Sequence, residues 1–414
     1  MDHFALKNKE QLLDLAVRHG TPLYYYDGAR VREQYKLFRS FFSFPRVGVH
    51  YAMKANYNPT LLRILCEEGC NIDAVSHAEV LLALQVGFRS SDIMYTSNMI
   101  SDTEMHTVAA LGVLFNIDSL SRLEKFGCAF PGSRVCLRFN PEVVTGHHDN
   151  VKTGGDETKF GINLRNIDSA LAICSRYGLR VVGVHEHAGS GIPETVDMEA
   201  GMSAILRLVT LSRFPDLEFV DFGGGFKVPY KPGEKVVDYA AFGVSVSAMF
   251  STFCSTFGGE LEMRFEPGRF LVAEAGYLLV TVNTLKYNGD RRIVGVDSGF
   301  PQLIRPMFYG AYHHITNVSA LIRSDVEVER YDVVGNICET GDRFAKDRMI
   351  STISEGDILC IHTAGAYGYA MGGVYNLRAM PTEVVIDSTD GVTFVEFVRK
   401  GLSAQELIDS VLSK

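Results

Sequence analysis

The chain has 414 residues, more than a usual single domain, which predicts two domains. Hydrophobic residues make up 46% and charged residues 21% of the chain, the balance of an ordinary folded protein. The formal net charge of −9 and the lack of a long basic stretch argue against a nucleic-acid surface. No apolar run approaches the ~20 residues of a membrane span, and no signal-peptide pattern opens the chain. Eight dispersed cysteines without a CxxC pair indicate reduced thiols in the cytoplasm.

The pattern predicts a helix over residues 8–19 and a strand over 22–27. Eight further β-rich segments follow, mostly separated by amphipathic stretches typical of helices, such as 58–69, 77–87 and 198–214. The predicted strands cover residues 47–53, 71–75, 92–96, 112–117, 134–139, 180–187, 217–222 and 261–266. This eightfold alternation is typical of a closed α/β barrel, the (β/α)8 TIM barrel, and an open doubly wound sheet is the competing architecture.

The texture changes after about residue 270. Later segments are rich in strand-forming residues joined by turns, and helix is expected only at the end, which predicts an all-β domain. The predicted division is therefore a barrel over residues 28–270 and a β-domain over 271–414, to which residues 1–27 contribute.

Lys54 closes the first apolar strand of the predicted barrel, in the segment YAMKAN (51–56). Active sites of such barrels form at the carboxyl ends of the strands. Burial there would favour the neutral amine, which can form a Schiff base. A solvated lysine at a strand end is the alternative.

His185 and His187 alternate in the segment HEHAGSG (185–191), so both face the same side of the strand. A zinc site is one interpretation, but no third ligand stands at the usual spacing. The alternatives are a histidine ring lying over an aromatic cofactor, with Ser190 near its phosphate, and a hydrogen-bonded histidine of the core.

Two more motifs follow predicted strands. The glycines of DFGGGF (221–226) let backbone N–H groups approach an anion, although glycine runs also form plain turns. The chain lacks the GKS/T sequence of a nucleotide P-loop. Glu266, in EPGR (266–269), can pair with a pyridine nitrogen or form a surface ion pair with Arg269.

The predicted β-domain adds two loops. CETGD (338–342) holds a thiol beside a carboxylate in a turn, but a free cysteine is usually buried and inert, so Cys338 alone indicates little. AGAYGY (364–369) places Tyr367 among small residues, where its hydroxyl can reach a phosphate oxygen.

In this order and at these spacings, the motifs resemble those of the fold-type III decarboxylases that depend on pyridoxal 5′-phosphate (PLP), and among them the meso-diaminopimelate decarboxylases. The resemblance runs from about residue 22 to 381 and rests on YAMKAN, HxHxGSG, DFGGGF, EPGR, IRPMFYGAYH, CETGD and AGAYGYAM. Residues 152–154 and 159–161 are similar to that family's loop before the fifth barrel helix. The family implies an alanine-racemase-like barrel followed by a C-terminal β-domain, which the N-terminal strand joins.

The resemblance also implies a role for each matching residue. Lys54 would carry PLP, His187 would stack on its ring, and Glu266 would bind the pyridine nitrogen. The residues implied around the phosphate are Ser190, Gly223, Gly224, Gly225, Gly268 and Tyr367. Those implied around the substrate are Arg269, Arg305 and Tyr309 for the distal carboxylate, Glu339 for the distal ammonium, and Tyr367. Cys338 would protonate the reacting carbon, delivered with Glu339 by the partner subunit of a head-to-tail homodimer.

The implied reaction is decarboxylation of meso-2,6-diaminopimelate to L-lysine, in lysine biosynthesis. Glutamate at the pyridine nitrogen strengthens the electron sink and favours decarboxylation, whereas racemases of this fold use arginine there. Two arginines and a glutamate suit a distal end that carries both a carboxylate and an ammonium group. The expected partners are a small amino acid and a second subunit, with no nucleic acid, membrane or metal.

Some positions depart from the family pattern. His77 and Ala78 stand where glycine is usual, Ala188 and Gly191 alter the usual HIGSQ, and Asn336 replaces a proline. None of these removes a catalytic group. They leave open a decarboxylase of the same fold that acts on ornithine, lysine, arginine or carboxynorspermidine, an inactive regulatory protein, and a barrel without a cofactor.

Overall fold

The computed structural model describes residues 2–140, 159–192, 194–324, 327–389 and 393–412. The chain forms two compact units. One comprises residues 32–228 and 236–271, and the other comprises residues 1–31, 229–235 and 272–414. The loop segment Lys152-Thr153-Gly154, which the family resemblance singled out, lies outside the described residues.

The chain begins with α1 (Asp2–His19), β1 (Leu23–Asp27) and α2 (Gly28–Ser40). Eight parallel strands then form a ring in which each strand pairs with the next and the last pairs with the first. They are β2 (Val47–Ala52), β3 (Asn71–Ala74), β4 (Ile93–Tyr95), β5 (Leu114–Ile117), β6 (Arg134–Asn140), β8 (Arg180–His185), β9 (Phe219–Asp221) and β10 (Glu262–Phe265). A short β7 (Ile162–Asn163) pairs with β6 alone. The closed barrel is confirmed, and the open sheet is excluded.

Helices follow the strands because short polar residues begin most of them. The barrel helices are α3 (Pro59–Glu67), α4 (His77–Val86), α5 (Asp102–Ala109), α6 (Leu120–Ala129), α7 (Ile167–Tyr177), α8 (Thr195–Leu206), α9 (Tyr239–Phe257) and α10 (Arg269–Val272). In the first turns of α3, α4, α5, α6 and α9, a backbone N–H group donates to a capping side chain, from Asn58, Ser76, Ser101, Ser119 and Asp238 respectively.

The predicted helix over 198–214 is too long at its carboxyl end. α8 stops at Leu206, and residues 207–214 form hydrogen-bonded turns. The β-branched Val209 and Thr210 stand in this stretch, and such residues fit a helix poorly.

α9 is the described helix that is long and apolar enough, by length and composition, to cross a membrane, which the absence of an uninterrupted apolar run had argued against. Its buried Phe242, Val246 and Phe250 line one face of the helix. The ring of Phe242 packs edge-on against Phe265 of β10, with 6.4 Å between centroids. α9 therefore covers the barrel, as expected of a core helix.

The other unit is mostly β-sheet. Its later elements are β11 (Gly276–Asn288), β12 (Arg291–Val296), α11 (Arg305–Tyr309), β13 (Ile315–Asn317), β14 (Val328–Val334), β15 (Arg343–Ser351), β16 (Ile358–Ile361), β17 (Thr382–Thr389), β18 (Thr393–Arg399) and α12 (Ala404–Leu412). β1 lies between β11 and β17, so the N-terminal strand joins this sheet, as the family resemblance implied.

The expectation of helix only at the end of this unit is wrong, because α11 lies in its middle. Pro306 stands in the first turn of α11, where its missing N–H group costs nothing. Gly310 ends the helix in the left-handed conformation, with φ of +60°.

The barrel interior dictates one glycine directly. A Cβ atom at Gly183 of β8 would overlap the ring of Phe219 on the neighbouring β9. We expect Gly183→Ala to lower the free energy of unfolding by about 1–3 kcal/mol through overpacking, and the added change Phe219→Leu to recover part of it. Urea unfolding measures both effects.

Gly295→Ala is the matched control, because a Cβ atom there would lie 3.6 Å from Thr284, an ordinary contact. Equal losses at Gly183 and Gly295 would contradict the packing argument.

Candidate active site

Ionisable side chains gather at the carboxyl ends of the barrel strands, where parallel strands share one rim. Lys54 lies in a single helical turn directly after β2, and Glu266 directly follows β10. The others stand within or at the ends of β3, β6, β8 and β9, and they are Asp73, Arg138, His185 and Asp221. All except Lys54 are buried. The closed barrel therefore brings together groups that are far apart in the sequence.

Lys54 forms an ion pair with Asp73. Its Nζ atom donates to Asp73 Oδ2 at 3.0 Å, and the Lys54 side chain is 41% exposed whereas that of Asp73 is 0% exposed. The expectation that Lys54 is desolvated is wrong for the single chain. The strand end holds this amine by a charged partner on the neighbouring strand.

Glu266 has a buried oxygen that no described residue satisfies. Its Oε2 atom lies 3.2 Å from Nε2 of His185, and its Oε1 atom has no hydrogen-bond partner in the described part of the chain. Burial, followed by the nearby charge of Asp73, raises the pKa of Glu266 to about 8. A buried carboxyl oxygen without a donor is costly, so this position suits a ligand that donates a hydrogen bond. The protonated nitrogen of a pyridine ring is such a donor.

His185, Asp221 and Glu266 also form a compact cluster whose candidate ligand atoms all lie within 4.8 Å of one another. Burial lowers the pKa of His185 to about 4, and burial with the charge of Glu266 raises that of Asp221 to about 8. The absence of metal remains a prediction, but the reason given for it is wrong. Spacing along one strand missed carboxylates that neighbouring strands supply.

His187 is held in one tautomer. Its Nδ1 atom accepts a hydrogen bond from the Gly224 N–H group at 3.2 Å, so a neutral ring carries its proton on Nε2. Burial lowers the pKa of His187 well below its usual range. A neutral, oriented imidazole ring is suited to lie against the face of an aromatic cofactor.

The glycine run is required by the packing of the protein itself. A Cβ atom would lie 2.7 Å from His187 Nδ1 at Gly223, 2.5 Å from the Glu266 carbonyl oxygen at Gly224, and 2.8 Å from the Gly189 carbonyl oxygen at Gly225. The N–H groups of Gly223 and Gly224 donate to Asp221 and His187 within the protein. These amides therefore already have acceptors, contrary to the expectation that they approach an anion.

Two residues predicted to bind different parts of the ligands lie together. The Nη2 atom of Arg269 donates to the hydroxyl of Ser190 at 3.2 Å, and Arg269 is buried. A Cβ atom at Gly268 would lie 3.0 Å from Cβ of Ala55, beside Lys54, so this glycine allows the close approach of two strand ends. An anion bound by Ser190 would lie within reach of a guanidinium group.

Sequence reasoning missed Asp73 and Arg138. Arg138 is buried in β6, where desolvation lowers its pKa while Glu266, Asp118 and Asp73 counter that effect. Its guanidinium lies 4.8 Å from the ring centroid of Phe160. The available signal was a charged residue near the carboxyl end of a strand that is otherwise apolar.

In the β-rich unit, Cys338 and Glu339 stand on an exposed loop. Asp342 anchors this loop by accepting hydrogen bonds from the N–H groups of Ile337 and Phe300, at 2.8 and 2.6 Å. Asn376, which sequence reasoning missed, accepts from Cys338 through Oδ1, which lies 3.3 Å from its nitrogen and 3.2 Å from its sulfur.

Arg305, Tyr309 and Tyr367 belong to the same unit. Arg305 begins α11 and is buried, and its guanidinium lies 4.5 Å from the ring centroid of Tyr230. Tyr309 ends that helix. Tyr367 has φ of +56°, a conformation that is uncommon for residues other than glycine and is often found at functional sites.

Glu186 faces away from the two histidines that flank it and is enclosed by apolar side chains. Its carboxyl group lies among Met198, Met202 and Phe222, and its Oε2 atom has no hydrogen-bond partner in the described chain. Burial, with a smaller contribution from the charge of Asp221, raises the pKa of Glu186 to about 8. The group is therefore neutral over much of the physiological range.

A family model described as "Pyridoxal-dependent decarboxylase, pyridoxal binding domain" matches residues 28–273. The chain is 42% identical to the diaminopimelate decarboxylase of Methanothermobacter thermautotrophicus over 384 residues, which are 90% of this chain and 88% of the relative. A crystal structure of a diaminopimelate decarboxylase matches the fold with a TM-score of 0.89 at 33% identity, over 98% of this chain and 97% of the other. The Helicobacter pylori enzyme, crystallised with L-lysine, matches with a TM-score of 0.83 at 28% identity, over 96% and 98%.

The closed barrel, the β-rich unit and the groups at the strand ends define a class, the barrel enzymes that use pyridoxal phosphate. The chain belongs to the pyridoxal-dependent decarboxylase family, and within it to the diaminopimelate decarboxylases. It is a PLP-dependent carboxy-lyase, so the predicted fold, cofactor and enzyme class are confirmed. The roles of individual residues remain predictions.

The neutral state of Glu186 predicts a pH effect on stability. Between about pH 5 and pH 8 this carboxyl ionises in the unfolded chain but not in the folded one, so its contribution to stability falls as the pH rises. Glu186→Gln removes the titrating group. We expect the variant to gain on the wild type by on the order of 2–4 kcal/mol between these pH values, measured by urea unfolding at equal cofactor loading.

Glu260→Gln, at an exposed position, is the control and should show no such trend. A constant difference between Glu186→Gln and the wild type across this pH range would contradict the prediction.

Proposed function

We propose that this chain decarboxylates meso-2,6-diaminopimelate to L-lysine. The observation that carries the proposal is the buried carboxyl of Glu266 with one oxygen left without a donor, in a chain 42% identical to a diaminopimelate decarboxylase over 90% of its length. A pyridinium N–H group would satisfy that oxygen and keep the carboxylate charged, although burial alone favours the neutral acid.

When bound, pyridoxal phosphate supplies the electron sink that accepts the electron pair left by departing CO₂. Lys54 would attach it and Glu266 would hold its ring nitrogen, while the neutral ring of His187 would lie against its face. Gly223, Gly224, Gly225, Gly268 and Tyr367 would surround the phosphate with Ser190. Since Gly223 and Gly224 already donate within the protein, we give Ser190 and the adjacent Arg269 the larger share of its charge.

The distal end of the substrate decides its identity. Arg305 and Arg269, with Tyr309, would hold the distal carboxylate, and Glu339 would hold the distal ammonium. Lysine and ornithine carry only the ammonium there, so the arginines would be left facing a cation. Losing a charged, desolvated contact costs about 2–5 kcal/mol, enough to decide between substrates. The structure of the H. pylori relative with L-lysine, the product of this reaction, supports the assignment.

We further propose that the enzyme is a homodimer in which Cys338 and Glu339 serve the partner's active site. Both residues are exposed in the single chain. Large apolar side chains of the same unit are also exposed, which is typical of a surface that another chain covers; they are Met307, Phe308, Val374, Tyr375 and Leu377. All eight cysteines are free, which fits a cytoplasmic location.

The substrate assignment is tested by CO₂ release from meso-diaminopimelate beside lysine, ornithine, arginine and carboxynorspermidine. We expect diaminopimelate to be preferred, and Arg305→Ala to lower kcat/KM for it by about a hundredfold while hardly changing the slow turnover of lysine. Arg330→Ala, at an exposed position of β14, is the control. Preference for a diamino acid with a single carboxylate would overturn the assignment.

Cys338→Ala should retain the visible absorbance of the cofactor and lose most turnover, because only the proton donor to the reacting carbon changes. Lys54→Ala should lose turnover through the other half of the site. If the site is shared, mixing the two inactive variants should restore up to about a quarter of the activity through hybrid dimers with one intact site. No recovery after verified subunit exchange would place both residues in a site formed by one chain.

A further inference from the structure

Arg305 is held by a histidine that the proposed mechanism does not use. Its Nη1 atom lies 2.8 Å from Nε2 of His313, and the other ring nitrogen, Nδ1, lies 2.9 Å from the carbonyl oxygen of His362. His313 is 0% exposed and Arg305 is 3% exposed. The two side chains therefore meet in a buried place, where an unsatisfied polar atom is costly.

The two partners leave one protonation state for His313. A carbonyl oxygen only accepts hydrogen bonds, so Nδ1 must carry a proton. A guanidinium group only donates, so Nε2 must carry a lone pair. His313 is thus the neutral Nδ1–H tautomer, and it transmits the fixed position of the His362 backbone to the guanidinium of Arg305.

The elements around His313 are themselves fixed. His313 stands two residues before β13, and His362 directly follows β16, with which β13 pairs. The N–H group of His362 donates to the His314 carbonyl oxygen at 2.9 Å. Arg348 donates to the His313 carbonyl oxygen at 2.6 Å. The imidazole ring therefore has little freedom to follow a moving arginine.

Tyr230 limits Arg305 from another direction. Its ring lies 4.5 Å from the guanidinium carbon of Arg305 and packs edge-on against His313, with 5.3 Å between ring centroids. An arginine side chain loses about 2 kcal/mol of rotamer entropy when it is fixed, and a guanidinium binds a carboxylate by two parallel bonds only in one plane. A histidine on one edge and a tyrosine ring on one face set that plane before any ligand binds.

We propose that His313 is a positioning residue for substrate specificity, which holds the Arg305 guanidinium in the orientation that binds the distal carboxylate. The proposal rests on the function proposed above for Arg305. It adds that specificity depends on the acceptor nitrogen of a neutral histidine, and that Tyr230 acts in the same direction.

Two substitutions separate the two ring nitrogens. In His313→Gln, the side-chain oxygen can replace Nε2 as the acceptor for Arg305. In His313→Asn, the amide N–H can replace Nδ1 as the donor to His362, but the shorter side chain does not reach Arg305. A purely structural role predicts similar losses from both, since each keeps one hydrogen bond.

We expect His313→Asn to raise KM for meso-diaminopimelate by about tenfold or more, with kcat changed by less than about threefold, and His313→Gln to stay within about threefold in KM. The dissociation constant of L-lysine, which lacks the distal carboxylate, should change little in either variant when measured by calorimetry. Cofactor absorbance and melting temperature serve as checks of folding. Tyr230→Leu provides a second test, with a smaller rise in KM, if His313→Asn does not fold.

Equal effects of the Gln and Asn variants in folded protein, or equal loss of diaminopimelate and lysine binding, would overturn the role of His313. Neither result affects the proposed function, which fails only if the wild type prefers a substrate without the distal carboxylate. In that case Arg305 has no carboxylate to bind, and the inference fails with it.

Discussion

The carboxyl ends of parallel strands cannot avoid one another once a barrel closes, and here those ends carry Asp73, Arg138 and Glu266. Removing an isolated charge from water costs several kcal/mol, so such groups are tolerated only when they compensate one another or shift their protonation. Both responses occur in this protein. Arg138 remains among three acids, whereas the pKa values of Glu266 and Asp221 rise to about 8.

The same crowding explains features that look unrelated in the sequence. Gly223, Gly224 and Gly225 pass so close to the neighbouring strand ends that a side chain on any of them would collide with the protein. His187 takes its tautomer from the amide of Gly224, and Lys54 is held by a carboxylate on the next strand. The surroundings of the cofactor are thus built by contacts within the protein, which fix ring orientation and charge before a ligand arrives.

The β-rich unit achieves preorganisation by other means. It contains no comparable cluster of buried acids among its described residues, and its arginine is oriented instead by a neutral histidine and an aromatic ring. The loop of Cys338 is anchored by one buried carboxylate, Asp342, and leaves the thiol exposed. The proposed division of roles follows from this difference, with the electron sink held by the barrel and the substrate's distal end held by the β-rich unit.

Alternation of apolar strands with amphipathic helices located all eight barrel strands to within a few residues, because strand and helix periodicities are local properties of the chain. Motif spacing likewise identified Lys54, His187 and Glu266 as candidates, through their similarity to a family. The sequence could not show that Asp73 pairs with Lys54 or that carboxylates from two strands approach His185. It also could not show that Gly223 and Gly224 have already used their amides, or that Arg305 rests against His313.

Local patterns therefore determined the fold class, the cofactor and the candidate residues of this protein. Burial, partner choice and protonation were decided by the tertiary structure alone, because a charge in a low-dielectric site depends on every group within a few ångströms, whatever its distance along the chain.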